Sequence, residues 1–129
     1  MITGVVTADR DAVLQLLVRG PTGNECFIDA LIDTGFDGGL SLPPDGISSL
    51  RLTWRRRGRA LVADGRESLF DIYEGELYWD GRWRRVTVDE TEALPLIGTA
   101  LLAGQELNIE FESGGAVTIQ PLHNDSQRI

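Results

Sequence analysis

The residues best suited to chemistry in this sequence lie in one short turn, Asp33-Thr34-Gly35. An apolar run at residues 30–32 leads directly into the turn, and an alternating segment follows it at residues 40–42. Such a strand would deliver the Asp33 carboxylate to a partly dry environment, where a charge has to be neutralised or paired. Asp33 is therefore the first candidate for an acid–base group.

Other uses of this stretch remain open. The spacing of its aspartates lacks the alternate ligands, central glycine and distal glutamate of a calcium loop. Its glycines match neither phosphate-binding fingerprint, and the chain has no lysine for a phosphate loop. The plainest alternative is an Asx turn, in which Asp33 accepts backbone N–H groups and does no chemistry. A carboxylate metal site at Asp33 and Asp37 is a weaker one.

The composition excludes several other mechanisms. Without lysine there is no Schiff-base chemistry, and the single cysteine, Cys26, cannot form an intrachain disulfide. The only histidine, His123, lies in a polar tail, so a Ser-His-Asp, Cys-His or zinc site is a poor prediction. We therefore expect no cofactor and no metal, and carboxylates as the acid–base groups.

Length and charge limit the partners. The 129 residues suit a single domain, residues 1–129, with a tail at about 121–129 that we expect to be flexible. A net charge of −8 argues against nucleic acid as the main partner, because phosphate binding needs a basic surface. No apolar run reaches the roughly 20 residues of a membrane span, so no membrane partner is expected. The lone cysteine and the lack of a visible signal peptide predict a cytoplasmic protein.

The remaining segments alternate or end in turn residues, which predicts many short strands. Residues 13–18 and 26–32 form the first predicted hairpin, Asp64-Gly65 turns the second and Asp80-Gly81 the third. Trp79 and Trp83 flank the third turn and could pair across the strands, as simple hairpin packing rather than as a surface on which a ligand stacks.

Later segments add a strand at 94–98, then a short helix at 100–103 that Thr99 would cap. A polar loop is predicted at 89–93, and one helical turn is possible at 47–50. Strands at 107–112 and 116–119 complete the chain, and the sum predicts an all-β barrel or sandwich with one short helix.

A row of arginines follows the predicted helical turn. It is either a basic patch for an acidic partner or a solvated edge strand whose charges oppose pairing with another chain. The net negative charge of the protein favours the second. Its members are Arg51, Arg55, Arg56, Arg57 and Arg59.

Three motifs in order resemble a known family. Asp33-Thr34-Gly35 follows an apolar strand, Ala63-Asp64-Gly65 lies in a predicted hairpin, and Leu96-Ile97-Gly98 precedes a short helix near the end of the domain. The chain resembles the single-domain, retropepsin-like (clan AA) aspartic proteases, most closely their small bacterial relatives. The resemblance covers roughly residues 10 to 120 in the order of elements, and the first and last motifs are the specific ones.

The resemblance implies a retropepsin-like acid-protease barrel that forms a two-fold homodimer. Asp33 and its copy would then form the catalytic pair of an aspartic endopeptidase, with a peptide or an unfolded protein as substrate. Thr34 would hydrogen-bond across the dimer, and Gly35 would let the backbone approach the carboxylates. Ile97 and Gly98 would support the catalytic loop.

The same resemblance makes Ala63, Asp64 and Gly65 the tip of a flap that closes over an extended peptide. Two features depart from the family pattern: Phe36 and Asp37 follow the glycine where retroviral members usually have alanine, and the flap tip is poor in glycine. Asp37 either adds charge near the pair or faces solvent. The alternative function is a catalytically silent module that grips a peptide or a protein without cutting it.

Overall fold

The structure, a computed structural model, describes residues 1–122. Within them the chain forms ten strands and two short helices. In chain order these are β1 (Ile2–Val6), β2 (Ala12–Arg19), β3 (Glu25–Ile32), β4 (Leu40–Leu42), α1 (Pro44–Leu50), β5 (Thr53–Leu61), β6 (Glu67–Trp79), β7 (Arg82–Glu90), β8 (Leu96–Ile97), α2 (Thr99–Leu102), β9 (Gln105–Ile109) and β10 (Ala116–Pro121). Most of the predicted flexible tail, residues 123–129, lies outside the described residues.

The strands make one sheet that closes on itself. Its order is β5-β6-β7-β4-β8-β3-β2-β1-β10-β9, and β6 pairs a second time with β2. That second pairing, Leu17 with Tyr78 through Arg19 with Glu76, closes a barrel of β2, β3, β8, β4, β7 and β6. The all-β barrel predicted from the strand pattern is confirmed.

The three predicted hairpins are present. Strands β2 and β3 pair from Val13–Leu31 to Arg19–Glu25, and β5 and β6 pair around the Asp64-Gly65 turn. Asp80 and Gly81 join β6 to β7, with φ angles of 49° and 86°. A positive φ at both central positions is the geometry that a two-residue turn needs to match the twist of its strands.

Several local predictions were wrong. Trp79 and Trp83 do not pair, because Trp79 lies opposite Arg82 and turns into the core. Trp83 instead packs edge-on against Tyr78, with ring centroids 5.3 Å apart. The predicted polar loop at 89–93 begins too early, since β7 continues to Glu90 and includes Asp89.

The helix predictions also need correction. There are two short helices among the described residues, because the possible turn at 47–50 is part of α1, which begins at Pro44. Proline suits the first turn of a helix, where its missing N–H is not needed. Thr99 is the first residue of α2, not its cap, and Gly98 occupies the N-cap position.

The core fills the barrel with side chains from alternating strand positions. Its fully buried large members include Leu14, Leu40, Leu77, Ile97 and Ile119. Ser41 is the one buried polar side chain in the described part of the chain, and its Oγ accepts a hydrogen bond from the Leu96 N–H at 3.1 Å. This bond ties β4 to β8, the short strand that leads to Gly98.

All members of the arginine row except Arg51 lie on β5, at one end of the sheet order, and the side chains of the row are exposed. Three of them pair with acids on the neighbouring strand: Arg55 with Glu74 at 2.9 Å, Arg57 with Asp71 at 3.4 Å, and Arg59 with Glu67 at 4.0 Å. The prediction of a solvated, charge-guarded edge is confirmed. Among residues 1–122 no helix is long and apolar enough to cross a membrane.

Candidate active site

The two specific motifs meet at the ends of β3 and β8. These strands run parallel, with Leu31 beside Leu96 and Ile32 beside Ile97. The Asp33 N–H donates to the Ile97 carbonyl at 2.9 Å, so the aspartate emerges where the second motif begins. A parallel pairing between residues so distant in sequence fixes Asp33 to the barrel rather than leaving it on a free loop.

Asp33 forms an Asx turn. Its Oδ1 accepts the Gly35 N–H at 2.9 Å, and its carbonyl accepts the Phe36 N–H at 3.1 Å. The side chain is half-buried, and within residues 1–122 no cation lies within 4.0 Å of it. The turn orients one carboxylate oxygen and leaves the other without a protein partner in the described chain.

Thr34 and Gly35 occupy the exposed corner of this turn. A Cβ on Gly35 would lie 3.2 Å from Asp33 Oδ1, which is tight, so glycine permits the close approach of backbone to carboxylate. The Thr34 hydroxyl makes no hydrogen bond within the described residues, and it is free to reach another molecule.

The start of α2 holds the loop that follows Asp33. The Gly98 N–H donates to the Gly39 carbonyl at 2.8 Å, the Thr99 N–H to Phe36 at 2.8 Å, and the Ala100 N–H to Gly38 at 3.1 Å. Gly98 is buried, and a Cβ there would lie 2.2 Å from the Gly38 carbonyl oxygen. Gly98 therefore packs directly beneath the loop.

A cleft of about 860 Å³ lies between this loop and the β5–β6 hairpin. Three groups of residues line it: 35–37 of the loop, 59–62 and 68–70 of the hairpin, and 89–92 at the end of β7. Asp33 borders the cleft through Gly35 and is not itself part of the lining. The cleft has the volume of a typical ligand site and has both apolar and acidic lining residues.

The predicted flap residues form the tip of the β5–β6 hairpin. The Val62 N–H donates to the Arg66 carbonyl and the Gly65 N–H to the Val62 carbonyl, each at 2.9 Å. Gly65 has a φ of 84°, which only glycine adopts easily. Ala63, Asp64 and Gly65 are exposed, and the cleft is lined by the hairpin strands below them rather than by the tip.

Asp89 is a site residue that the sequence analysis missed. Its Oδ2 lies 3.1 Å from where a Gly38 Cβ would be, and the Phe36 ring lies 2.5 Å from the same point. Burial raises the pKa of the Asp89 carboxyl, the charge of Asp37 raises it further, and Arg56 partly opposes both. The strand context gave no hint of this, because Asp89 reaches the loop only through the parallel pairing of β7 with β4.

The raised pKa of Asp89 predicts a pH-dependent cost in stability. The Asp89 carboxyl binds its proton more tightly in the folded chain than in the unfolded chain. The folded state therefore loses stability as pH rises from the pKa of this group in the unfolded chain through its pKa in the folded chain. Asp89→Asn removes the ionised form, so we expect it to unfold at a higher temperature than wild type near pH 7, with a gap that closes below about pH 4. Calorimetry at several pH values measures the gap.

The exposed Asp29→Asn on β3 is the matched control, because it changes the net charge equally away from the cleft. It should show no such pH-dependent gap. A gap for Asp89→Asn that stays constant across pH would contradict the expectation.

Within residues 1–122 no group of three or more His, Cys, Asp or Glu side chains is arranged to hold a metal ion. Asp33 and Asp37 therefore do not gain a third such ligand from the described chain.

Comparison with known proteins bears on the fold. No family model and no curated protein matches the sequence. Among solved structures, the crystal structure of a retropepsin-like aspartic protease from Rickettsia conorii is similar, with a TM-score of 0.60 and 13% sequence identity. The match covers 95% of this chain and 91% of that one. The chain therefore has a retropepsin-like fold.

Proposed function

We propose that this chain is an aspartic endopeptidase whose catalytic pair forms when two copies bring their Asp33 side chains together. The observation that supports this most is the Asp33 turn itself. It is anchored to Ile97, its following loop is anchored to Gly98, Thr99 and Ala100, and it borders a cleft of about 860 Å³. The fold shared with a retropepsin-like aspartic protease agrees with this proposal.

The proposed chemistry needs two carboxylates, one as base and one as acid. Because one chain supplies only one such turn, a second copy would supply the other. Carboxylates about 3 Å apart cannot both ionise, so the pair shares one proton. The ionised Asp33 accepts a proton from a bridging water, which attacks the peptide carbonyl. The protonated partner donates to the carbonyl oxygen as negative charge develops there. When the C–N bond of the resulting diol breaks, the proton that Asp33 took from water passes to the leaving nitrogen, and the pair returns to its shared-proton state.

The neighbouring residues would keep this pair in place. The Gly35 N–H donates to one Asp33 oxygen and leaves the other for water or substrate. The exposed Thr34 hydroxyl would hydrogen-bond across the two-fold axis and hold the two turns at a fixed distance. Ile97 and Gly98 would make the loop rigid, which matters because small displacements of a reacting group are costly in rate.

The β5–β6 hairpin would act as the flap. Its tip, Ala63, Asp64 and Gly65, is joined to the barrel by two long strands, and the tip is exposed on all sides. An extended peptide in the cleft would take hydrogen bonds from strand edges, and closure of the hairpin would exclude water from the bond being cut.

A binding module that does not cut is the second candidate. The Asx turn favours it, since the Asp33–Gly35 bond has a structural role that requires no catalysis. Such a module would use the same cleft and would bind peptide without turnover at any pH.

Digestion of an unfolded protein, followed by mass spectrometry between about pH 3 and pH 7, tests the proposal. Because the pair forms between two chains, we expect the cleavage rate per chain to rise with protein concentration until the dimer is saturated. Sedimentation under the same conditions gives the dimer fraction.

The cleavage rate should follow that dimer fraction. A rate per chain that stays constant through dissociation would contradict the shared pair. Folded dimer that cuts nothing at any pH would favour the binding module.

A further inference from the structure

The floor of the cleft has a feature that bears on which peptides it accepts, and the inference from it rests on the proposed function. The Phe36 ring lies across Gly38 and Gly98, within 2.6 Å of where a Cβ on either glycine would be. The absence of a side chain at both glycines therefore leaves the room that the ring occupies. The ring is half-buried, and it lines the cleft three residues after Asp33.

The Asp89 carboxylate lies beside this ring. The two groups lie close together, because the ring is 2.5 Å and Asp89 Oδ2 is 3.1 Å from one point beside Gly38, and both groups line the cleft. Asp89 is half-buried and forms no salt bridge within the described chain, so among positive charges only the more distant Arg56 acts on it. A cation in the cleft beside both groups would gain an ion pair with the carboxylate and contact with the ring.

The opposite wall is apolar and open. Leu61 and Leu69 of the hairpin are 77% and 54% exposed, and both line the cleft. Arg59 is the one basic residue in the lining, and it is directed to Glu67 of its own hairpin, 4.0 Å away. A ligand side chain that crosses this cleft would therefore meet leucines along its stem and Asp89 at its end.

Arginine and lysine have this form, an aliphatic stem with a cationic end. We propose that the cleft is a subsite for a basic side chain of the peptide substrate, with Phe36 and Asp89 as specificity-determining residues. The arginine head would lie on the Phe36 ring and pair with the Asp89 carboxylate, while its methylene groups contact the hairpin leucines. Asp37, exposed at the same rim, adds to the negative potential that attracts the cation.

Peptide pools test the subsite. Each pool is a quenched fluorescent octapeptide library with one position fixed as arginine, as its neutral isostere citrulline, or as glutamate. We expect wild type to cleave arginine pools roughly fivefold faster than citrulline pools at one position. Asp89→Asn should make the rates for arginine and citrulline pools equal, and Phe36→Leu should reduce their ratio. The exposed Asp29→Asn should leave the ratio unchanged. Thermal unfolding confirms that each variant is folded.

Binding of the same pools to immobilised Asp33→Asn protein separates the subsite from catalysis. One outcome is that wild type cleaves none of the pools while arginine pools still bind better than citrulline pools to the Asp33→Asn protein. If adding Asp89→Asn to that protein removes the binding preference, proteolysis fails and the subsite stands. If peptides are cleaved with equal rates for arginine and citrulline, the subsite fails and proteolysis stands. A preference for arginine that survives Asp89→Asn would also overturn the proposed subsite.

Discussion

Asp33→Asn should abolish peptide cleavage, with a loss of roughly 10³-fold or more at every pH, while the chain stays folded and dimeric. The amide cannot hold or release the shared proton, so the water is not activated. The turn should survive, because the amide oxygen can still accept the Gly35 N–H in place of Oδ1. Kinetics on a cleaved peptide, together with sedimentation and thermal unfolding, measure the loss.

Mixing wild type with Asp33→Asn in varied proportions gives a sharper result than the variant alone. If one Asn in the pair is enough to stop the reaction, random exchange of subunits should leave activity proportional to the square of the wild-type fraction. A linear decrease would mean that each chain works by itself. Asp29→Asn, with the same chemical change outside the cleft, should keep full activity. Cleavage by pure Asp33→Asn would disprove the assignment.

Gly98→Ala is expected to destabilise the fold by about 3 kcal/mol. The added methyl would lie 2.2 Å from the Gly38 carbonyl oxygen and 2.7 Å from that of Phe36. Neither oxygen can retreat freely, since each accepts a hydrogen bond from the start of α2. Urea unfolding followed by fluorescence measures the change.

Gly46→Ala is the matched control for this substitution. A Cβ there would meet only the Leu42 side chain at 3.8 Å, an ordinary contact, and Gly46 lies inside α1. Alanine should therefore stabilise the chain by up to about 1 kcal/mol. If Gly98→Ala unfolds at the same urea concentration as wild type, the loop is not packed as tightly as the structure indicates.

Short-range signals were enough to predict much of this fold. The Asp-Gly turns give the hairpins because a positive φ at the turn depends on the local residues alone. Asp33 and Gly98 were singled out by motifs of a few residues, and the structure brings those motifs together. What each of them does in catalysis stays a prediction.

The failure to single out Asp89 has a physical cause, which is contact between distant segments. Asp89 was assigned to a loop because nothing near it in sequence shows that β7 pairs with β4. The second and third hairpins share one long strand, β6, in which Gly75 leaves room for Leu52. A glycine within a strand often marks such a close approach.

The second pairing of β6 also has a consequence for how the chain folds. Arg19 and Glu76, which bond across it, are 57 residues apart in sequence, and only three residue pairs make the contact. The hairpins can form from neighbouring residues, but this contact must first overcome the entropy of closing a long loop. The seam between β2 and β6, like the pairing of β3 with β8, is therefore expected to form more slowly than the hairpins.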